Sequence, residues 1–308
     1  MNSTGGPQVL VRDTFATAFA KNFVLVGVWL SLSYINVTVV ATFFSNQTFY
    51  EDPRYILFIH MVINDAVQLT VTTSLFVVSY IYYSINVSIC TVFILVAVFT
   101  TRNTPVNLAA MAIERYIAVC NPLRHAQICT VRRTHLLIGL IWLISVVPDI
   151  TDLFITLATE PISFFYTSVF YRSIYYKNCA FDSVYFSSVF VVLLYTYCKI
   201  MLAARAASTD LVSVKKARNT VLLHGVQLLL CMLAFVVPSM QAPLIQLFPQ
   251  YSLEIRYVNF LLVYIIPRFL SPMIYGFRDE KFRKYWIKYL IHRVRRVKPS
   301  EHLPQKPK

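Results

Sequence analysis

No Asp, Glu, Lys or Arg occurs between Asn22 and Tyr50, and none occurs between Asn219 and Leu253. The hydrocarbon core of a bilayer is about 30 Å thick, and a helix needs about 20 mostly apolar residues to cross it. Each charge-free stretch holds one such segment. Five more mostly apolar runs are interrupted by a few charges such as Asp65, Asp149, Asp152 and Arg268, and the spans read Phe23–Phe44, Tyr55–Ser79, Cys90–Val119, Leu136–Leu157, Val184–Ala204, one within 219–253, and Tyr257–Gly276. The backbone must satisfy its own hydrogen bonds in lipid, which selects helices, and the alternating ten-residue pattern of a membrane barrel is absent. The expected fold is an all-α membrane protein, a bundle of seven transmembrane helices with a short amphipathic helix after the seventh.

Composition agrees. Of 308 residues, 57% are hydrophobic and 14% charged, with a mean hydropathy of +0.60; a soluble domain carries roughly a quarter charged residues. The net charge of +14 is distributed by side rather than gathered on a polar domain, so it makes no nucleic-acid footprint. Ten Lys and Arg residues fall on one set of connections and eleven on the tail after the seventh span, against five on the opposite side. The positive-inside rule then sets the N-terminus outside and the C-terminus in the cytosol of a multi-pass plasma-membrane protein. Residues 1–22 form the extracellular N-terminus, 23–278 the membrane domain, and 279–308 a cytoplasmic amphipathic helix and basic tail. Residues 1–22 lack the apolar core of a signal peptide, so the first span is expected to act as its own targeting signal.

This topology sorts the cysteines and sequons. Of six cysteines, Cys90 and Cys179 face the oxidising side, and a disulfide between them is expected. Asn2-Ser3-Thr4 is an outer glycosylation sequon, whereas those at Asn36 and Asn46 fall in the membrane and cytosol and should be empty. No Cys or His spacing fits a metal site, and no cofactor is expected. There is no G-x-S-x-G or H-E-x-x-H nucleophile or metal motif for an enzyme, and no internal repeat of the transporter kind.

From Cys90 to Arg115 is 25 residues, about 37 Å of helix, so one helix joins the outer cysteine to Glu114-Arg115-Tyr116 at the inner face. The run Met111-Ala-Ile-Glu-Arg-Tyr-Ile-Ala-Val-Cys-Asn-Pro-Leu-Arg-His125 resembles the signature that closes helix three in odorant receptors of the rhodopsin-like class, with His125 where Tyr is more usual. Lys216-Ala-Arg-Asn-Thr-Val-Leu-Leu-His224 resembles their opening to helix six, and Ser271-Pro-Met-Ile-Tyr275 resembles the Asn-Pro-x-x-Tyr motif with Ser for Asn. Pro267 to Asp279 is similar to fish-type odorant receptors. Trp142 matches the common tryptophan of helix four. Helix six reads Cys231-Met-Leu-Ala-Phe-Val-Val-Pro238 and lacks the Cys-Trp-x-Pro toggle, as odorant receptors commonly do.

The resemblance implies a receptor that binds a small-molecule odorant from outside and activates a heterotrimeric G protein, of the olfactory stimulatory type. It implies that Arg115 is a switch held at rest by Glu114, and that Tyr116, Tyr197, Pro272 and Tyr275 belong to the same machinery. It places Asn36 and Asp65 as an intramembrane polar pair. The alternative of the same class is an orphan receptor for a lipid or peptide, since fold does not fix ligand. The helix after Gly276 is expected to lie on membrane lipid, its Lys and Arg residues against anionic headgroups.

Besides Arg115 at the end of the third, two arginines lie within spans. Arg102 sits near mid-membrane, where a charge is either paired or functional. It either pairs with Asp149 or binds an anionic ligand through its fork of donors. Arg268, level with Asp65, is expected to pair with it and take the place of the sodium ion that many rhodopsin-like receptors hold there. Ile94, Val98, Arg102 and Pro105 share one face of helix three by three- and four-residue spacing. With Phe235, Met232 and Tyr264 they form a candidate ligand wall or a packing stripe, since both have the same period.

Overall fold

The computed structural model describes residues 14–81, 85–159, 179–207 and 243–297, with residues 161, 163, 168–169, 226, 229–230, 233, 237 and 240–241 between them. The elements are α1 (Phe15–Phe44), α2 (Pro53–Ile81), α3 (Val87–Cys120), α4 (Pro122–Ile128), α5 (Val131–Thr159), α6 (Cys179–Ala207), α7 (Ser252–Phe260), α8 (Ile266–Arg278) and α9 (Glu280–Val297). A π-turn, Leu261–Ile265, joins α7 to α8. One two-residue ladder, β1 (Ile85–Asn86) with β2 (Ser168–Val169), pairs antiparallel beside the start of α3.

Helices α1, α2, α3 and α5 are each long and apolar enough to cross a membrane, and α6 contributes a shorter apolar stretch, Ser187–Ile200. The expected sixth span lies almost wholly outside the described residues. Helix ends differ from the sequence reading. The α1 helix begins at Phe15, well before Phe23, because Thr14 caps it by accepting the Thr17 N–H at 3.3 Å. The α6 helix begins at Cys179, which the sequence placed in a loop. The tail helix is no short appendage either, since α9 runs for 18 residues.

Burial is inverted relative to a soluble protein. Phe19, Phe23, Leu136, Leu143 and Phe154 are exposed, while Asn64, Asp65, Gln68, Arg102, Asn103, Asn107 and Arg268 are buried. In water that arrangement would leave a large apolar surface unpartnered. In lipid the same surface costs nothing, and the polar groups must find partners inside.

The inner half of the core is aromatic. Phe49, in the tight turn after α1, meets Tyr55, Phe282 and Tyr285 at ring-centroid distances of 4.8, 5.3 and 5.3 Å. Trp286 donates its indole N–H to Thr38 Oγ1 at 3.1 Å. These contacts dock the apolar face of α9 onto α1 and α2. Asp279 sets its start: its Oδ1 accepts the Phe282 N–H at 2.9 Å and the Tyr55 hydroxyl at 2.9 Å. A cap and a tertiary bond thus share one carboxylate. At the outer end, Lys21 ties α1 to α7 through Glu254 at 3.8 Å and the face of Tyr257.

Replacing Asp279 with Ala is expected to cost about 1–2 kcal/mol, a lost cap together with a lost hydrogen bond. The change should appear as a lower midpoint of thermal unfolding in detergent, with Tyr55→Phe lowering it less.

Candidate functional site: buried charges and the Glu114 crevice

Three levels of polar contact run down the inside of the helices. At mid-height Arg102 of α3 forms an ion pair with Asp149 of α5, side chains 3% and 6% exposed. The structure thus seats Arg102 on the carboxylate that the sequence offered it. A buried guanidinium without a partner would be strongly destabilising, so the pair fixes α3 against α5.

One level inward, Asp65 and Gln68 of α2 lie three residues apart on one helical face. Thr104 donates its hydroxyl to Asp65 Oδ1 at 3.3 Å, and Asn64 donates to the Thr100 carbonyl and to Thr104 Oγ1, both at 3.0 Å. Gln68 Nε2 donates to Thr101 Oγ1 at 2.5 Å. Helix α2 is therefore stitched to α3 by polar bonds over two turns.

Arg268 enters from α8 and is 2% exposed. The expected direct pair with Asp65 is not made. Its Nε and Nη2 instead donate to Gln68 Oε1 at 3.2 and 2.5 Å, and Nη1 donates to the Val263 carbonyl at 2.6 Å. The reason is local. Pro267 has no N–H to give the carbonyl four residues back, which is that of Val263, so this acceptor is open to the guanidinium. The π-turn beside it widens the helix at the same point. Gln68 fills the remaining distance to α2, while the Arg268 charge still acts on Asp65. A fixed cation thus stands within the electrostatic reach of Asp65.

At the inner face Glu114 is 5% exposed. Its Oε1 lies 3.0 Å from His125 Nε2, and its Oε2 lies 3.9 Å from Arg115 Nε. These residues line a crevice of about 490 Å3 with Glu51, Asp52, Arg54, Cys129 and Thr130. Burial, and after it the Glu114 carboxylate, push the Cys129 thiol up, so it stays protonated. Tyr116 reaches the ring of Tyr195 on α6 at 6.5 Å. Tyr197 packs on the cluster of Ala109, Ala112, Val189 and Leu193 that joins α3 to α6.

Other sequence-derived candidates are less connected. Asn36 is buried, but neither of its amide atoms has a hydrogen-bond partner among the described residues, so it makes no direct bond with Asp65. Pro105 is buried in α3 and Val98 half-buried, whereas Tyr264 packs with Phe260 in a different cluster, with α1 and α2. Pro272 is buried in α8. Cys90 is buried, and among the described residues it has no disulfide partner. Cys179 heads α6, but its side chain, that of Tyr275, and residues Asn2, Met232 and Phe235 lie outside the described residues. Trp142 donates to His60 Nε2 at 2.6 Å and meets Phe99 edge-on at 5.3 Å. Gln68 and Asp279 were missed as contact residues, although Gln68 one turn after Asp65 and Asp279 ahead of a helix-forming run were readable signals.

With Arg268 fixed near Asp65, small-molecule binding by this chain is expected to be the same in sodium as in potassium at equal ionic strength. Gln68→Ala should lower the thermal midpoint by the equivalent of about 1.5–3 kcal/mol, because it strips the guanidinium of its acceptor. Thr101→Ala should cost less.

Comparison with known proteins agrees with this architecture. A model of the family described as "7 transmembrane receptor (rhodopsin family)" matches residues 35–275. Over 296 residues the chain is 34% identical to Odorant receptor 131-2 of Danio rerio, covering 92% of this chain and 89% of that protein. Matches of this extent mean that the chain belongs to the rhodopsin family of seven-transmembrane receptors.

Proposed function

We propose that this chain is an odorant receptor that takes a small molecule from the extracellular side and activates a heterotrimeric G protein in the cytosol. The observation that carries the reading is Glu114-Arg115-Tyr116 at the inner end of α3, with Glu114 buried and in contact with Arg115, in a chain similar over most of its length to a fish odorant receptor. A receptor of this kind is a two-state element that a ligand biases by binding one state better. In the resting state Glu114 holds Arg115. In the active state Arg115, with Tyr116, Tyr197, Pro272 and Tyr275, rearranges to admit the G protein.

The reading places seven spans with the N-terminus outside, Asn2 glycosylated and Cys90 joined to Cys179 in the oxidising compartment. The apolar wall of α3 at Val98 and Pro105, with Phe235, is where the ligand docks, and Tyr264, which packs in a different cluster, is not part of it. Arg102 supports that wall, since Asp149 already meets its charge. The basic face of α9 rests on anionic lipid at the cytoplasmic surface.

The test is cyclic AMP production in cells carrying an olfactory stimulatory G protein, against a panel of water-soluble odorants, for the native chain and Arg115→Ala. A response in the native chain, lost in a variant with equal surface expression, is the expected result. Silence of the native chain across the panel at good surface expression would move the assignment to a receptor for another ligand class.

A further inference from the structure

Glu114 and Arg115 are consecutive residues of α3, and consecutive positions on a helix do not face each other. Their separation of 3.9 Å reflects that geometry. At that distance, and with Arg115 part-exposed, the pair holds little by itself. The shorter contact to Glu114 comes from elsewhere. The α3 helix ends at Cys120, and Asn121 turns the chain into α4 with Pro122 at its first helical position. One turn into α4, His125 faces back on α3 with Nε2 at 3.0 Å from Glu114 Oε1.

Two oxygens of one carboxylate are therefore divided between two partners. His125 holds Oε1, and Oε2 is left to Arg115. The other charged or titratable groups lining the same crevice are Glu51 and Asp52 between α1 and α2, Arg54 at the start of α2, and Cys129 between α4 and α5. Arg54 is engaged with Asp52 at 2.6 Å, which leaves the imidazole as the close holder of Glu114 among the described residues.

We propose that His125 is a positioning residue of the resting switch. It fixes the rotamer in which Glu114 restrains Arg115, and it links that restraint to the position of α4. The proposal rests on the receptor reading above. A ring N–H donates to the carboxylate, so any side chain that presents an N–H at the same reach can substitute, whereas an apolar ring of similar size cannot. Movement of α4 on binding a cytosolic partner would break the contact and free Glu114, so the inner connection itself becomes part of the switch.

The experiment measures agonist-free cyclic AMP, normalised to surface expression, for His125→Phe, His125→Gln, Glu114→Gln and the double variant Glu114→Gln/His125→Phe. His125→Phe is expected to raise agonist-free signalling roughly fivefold, the shift that loss of one charge-assisted hydrogen bond gives a two-state switch. His125→Gln should stay near the native level. In the Glu114→Gln background, His125→Phe should add nothing further, because both changes act through one carboxylate. A His125→Phe variant with native basal signalling, or one that adds its full effect to Glu114→Gln, overturns the proposal. Should no variant and no agonist give any signal, the receptor reading is what fails. The contact is then tested on purified protein by hydrogen–deuterium exchange at 121–129. Faster exchange in His125→Phe but not in His125→Gln supports the latch, and unchanged exchange in both overturns it.

Discussion

Among the described residues, polar side chains are buried between helices whose outward faces are apolar, and the cost of leaving such a group without a partner governs the rest of the structure. The hydrophobic effect that organises a soluble core gives little direction here, because the outer faces of α1, α3 and α5 are as apolar as the surrounding hydrocarbon. Direction comes from the few groups that lipid rejects. Asp65 and Gln68 make one face of α2 the meeting place for α3 and α8, and Arg102 with Asp149 does the same for α3 and α5. Packing of the aromatic inner core then completes what these bonds align.

The same constraint bears on function. Groups that pair across helices are the natural seats of a conformational switch, because a shift of one helix must break and remake discrete bonds rather than deform continuously. The π-turn and two prolines place such a seat in the α7–α8 segment, where Arg268 is held partly by a carbonyl that its own helix leaves open. Glu114 is another, shared between a neighbour on its own helix and a residue brought back by a seven-residue helix. Between these two levels α3 is continuous. It offers a rigid connection between them.

Much of this was legible in the sequence because lipid is a demanding solvent. The charge-free run from Asn22 to Tyr50 located α1, apolar runs located α2, α3 and α5, and of the two roles open to Arg102 the pair with Asp149 is the one the structure forms. The exact helix ends were not legible, since they depend on caps such as Thr14 and Asp279 rather than on hydropathy. Gln68 escaped attention because a neutral amide leaves no charge signal, although it is the residue that receives Arg268. The open carbonyl of Val263 was in principle readable from Pro267 four residues later, but a guanidinium reaching it requires the helix to widen. His125 was visible only as a departure from the usual Tyr. Its contact with Glu114 depends on how Asn121 and Pro122 fold α4 back, which spacing does not reveal.

Exchanging the two charges of the mid-membrane pair tests most directly whether internal charge matching holds this bundle together. Surface expression and thermal midpoint would be measured for Arg102→Asp, Asp149→Arg and the double exchange. Either single exchange buries two like charges and should abolish folded protein at the surface, while the double exchange should recover most of it. A single exchange that still folds, or a double exchange no better than the singles, would contradict the account.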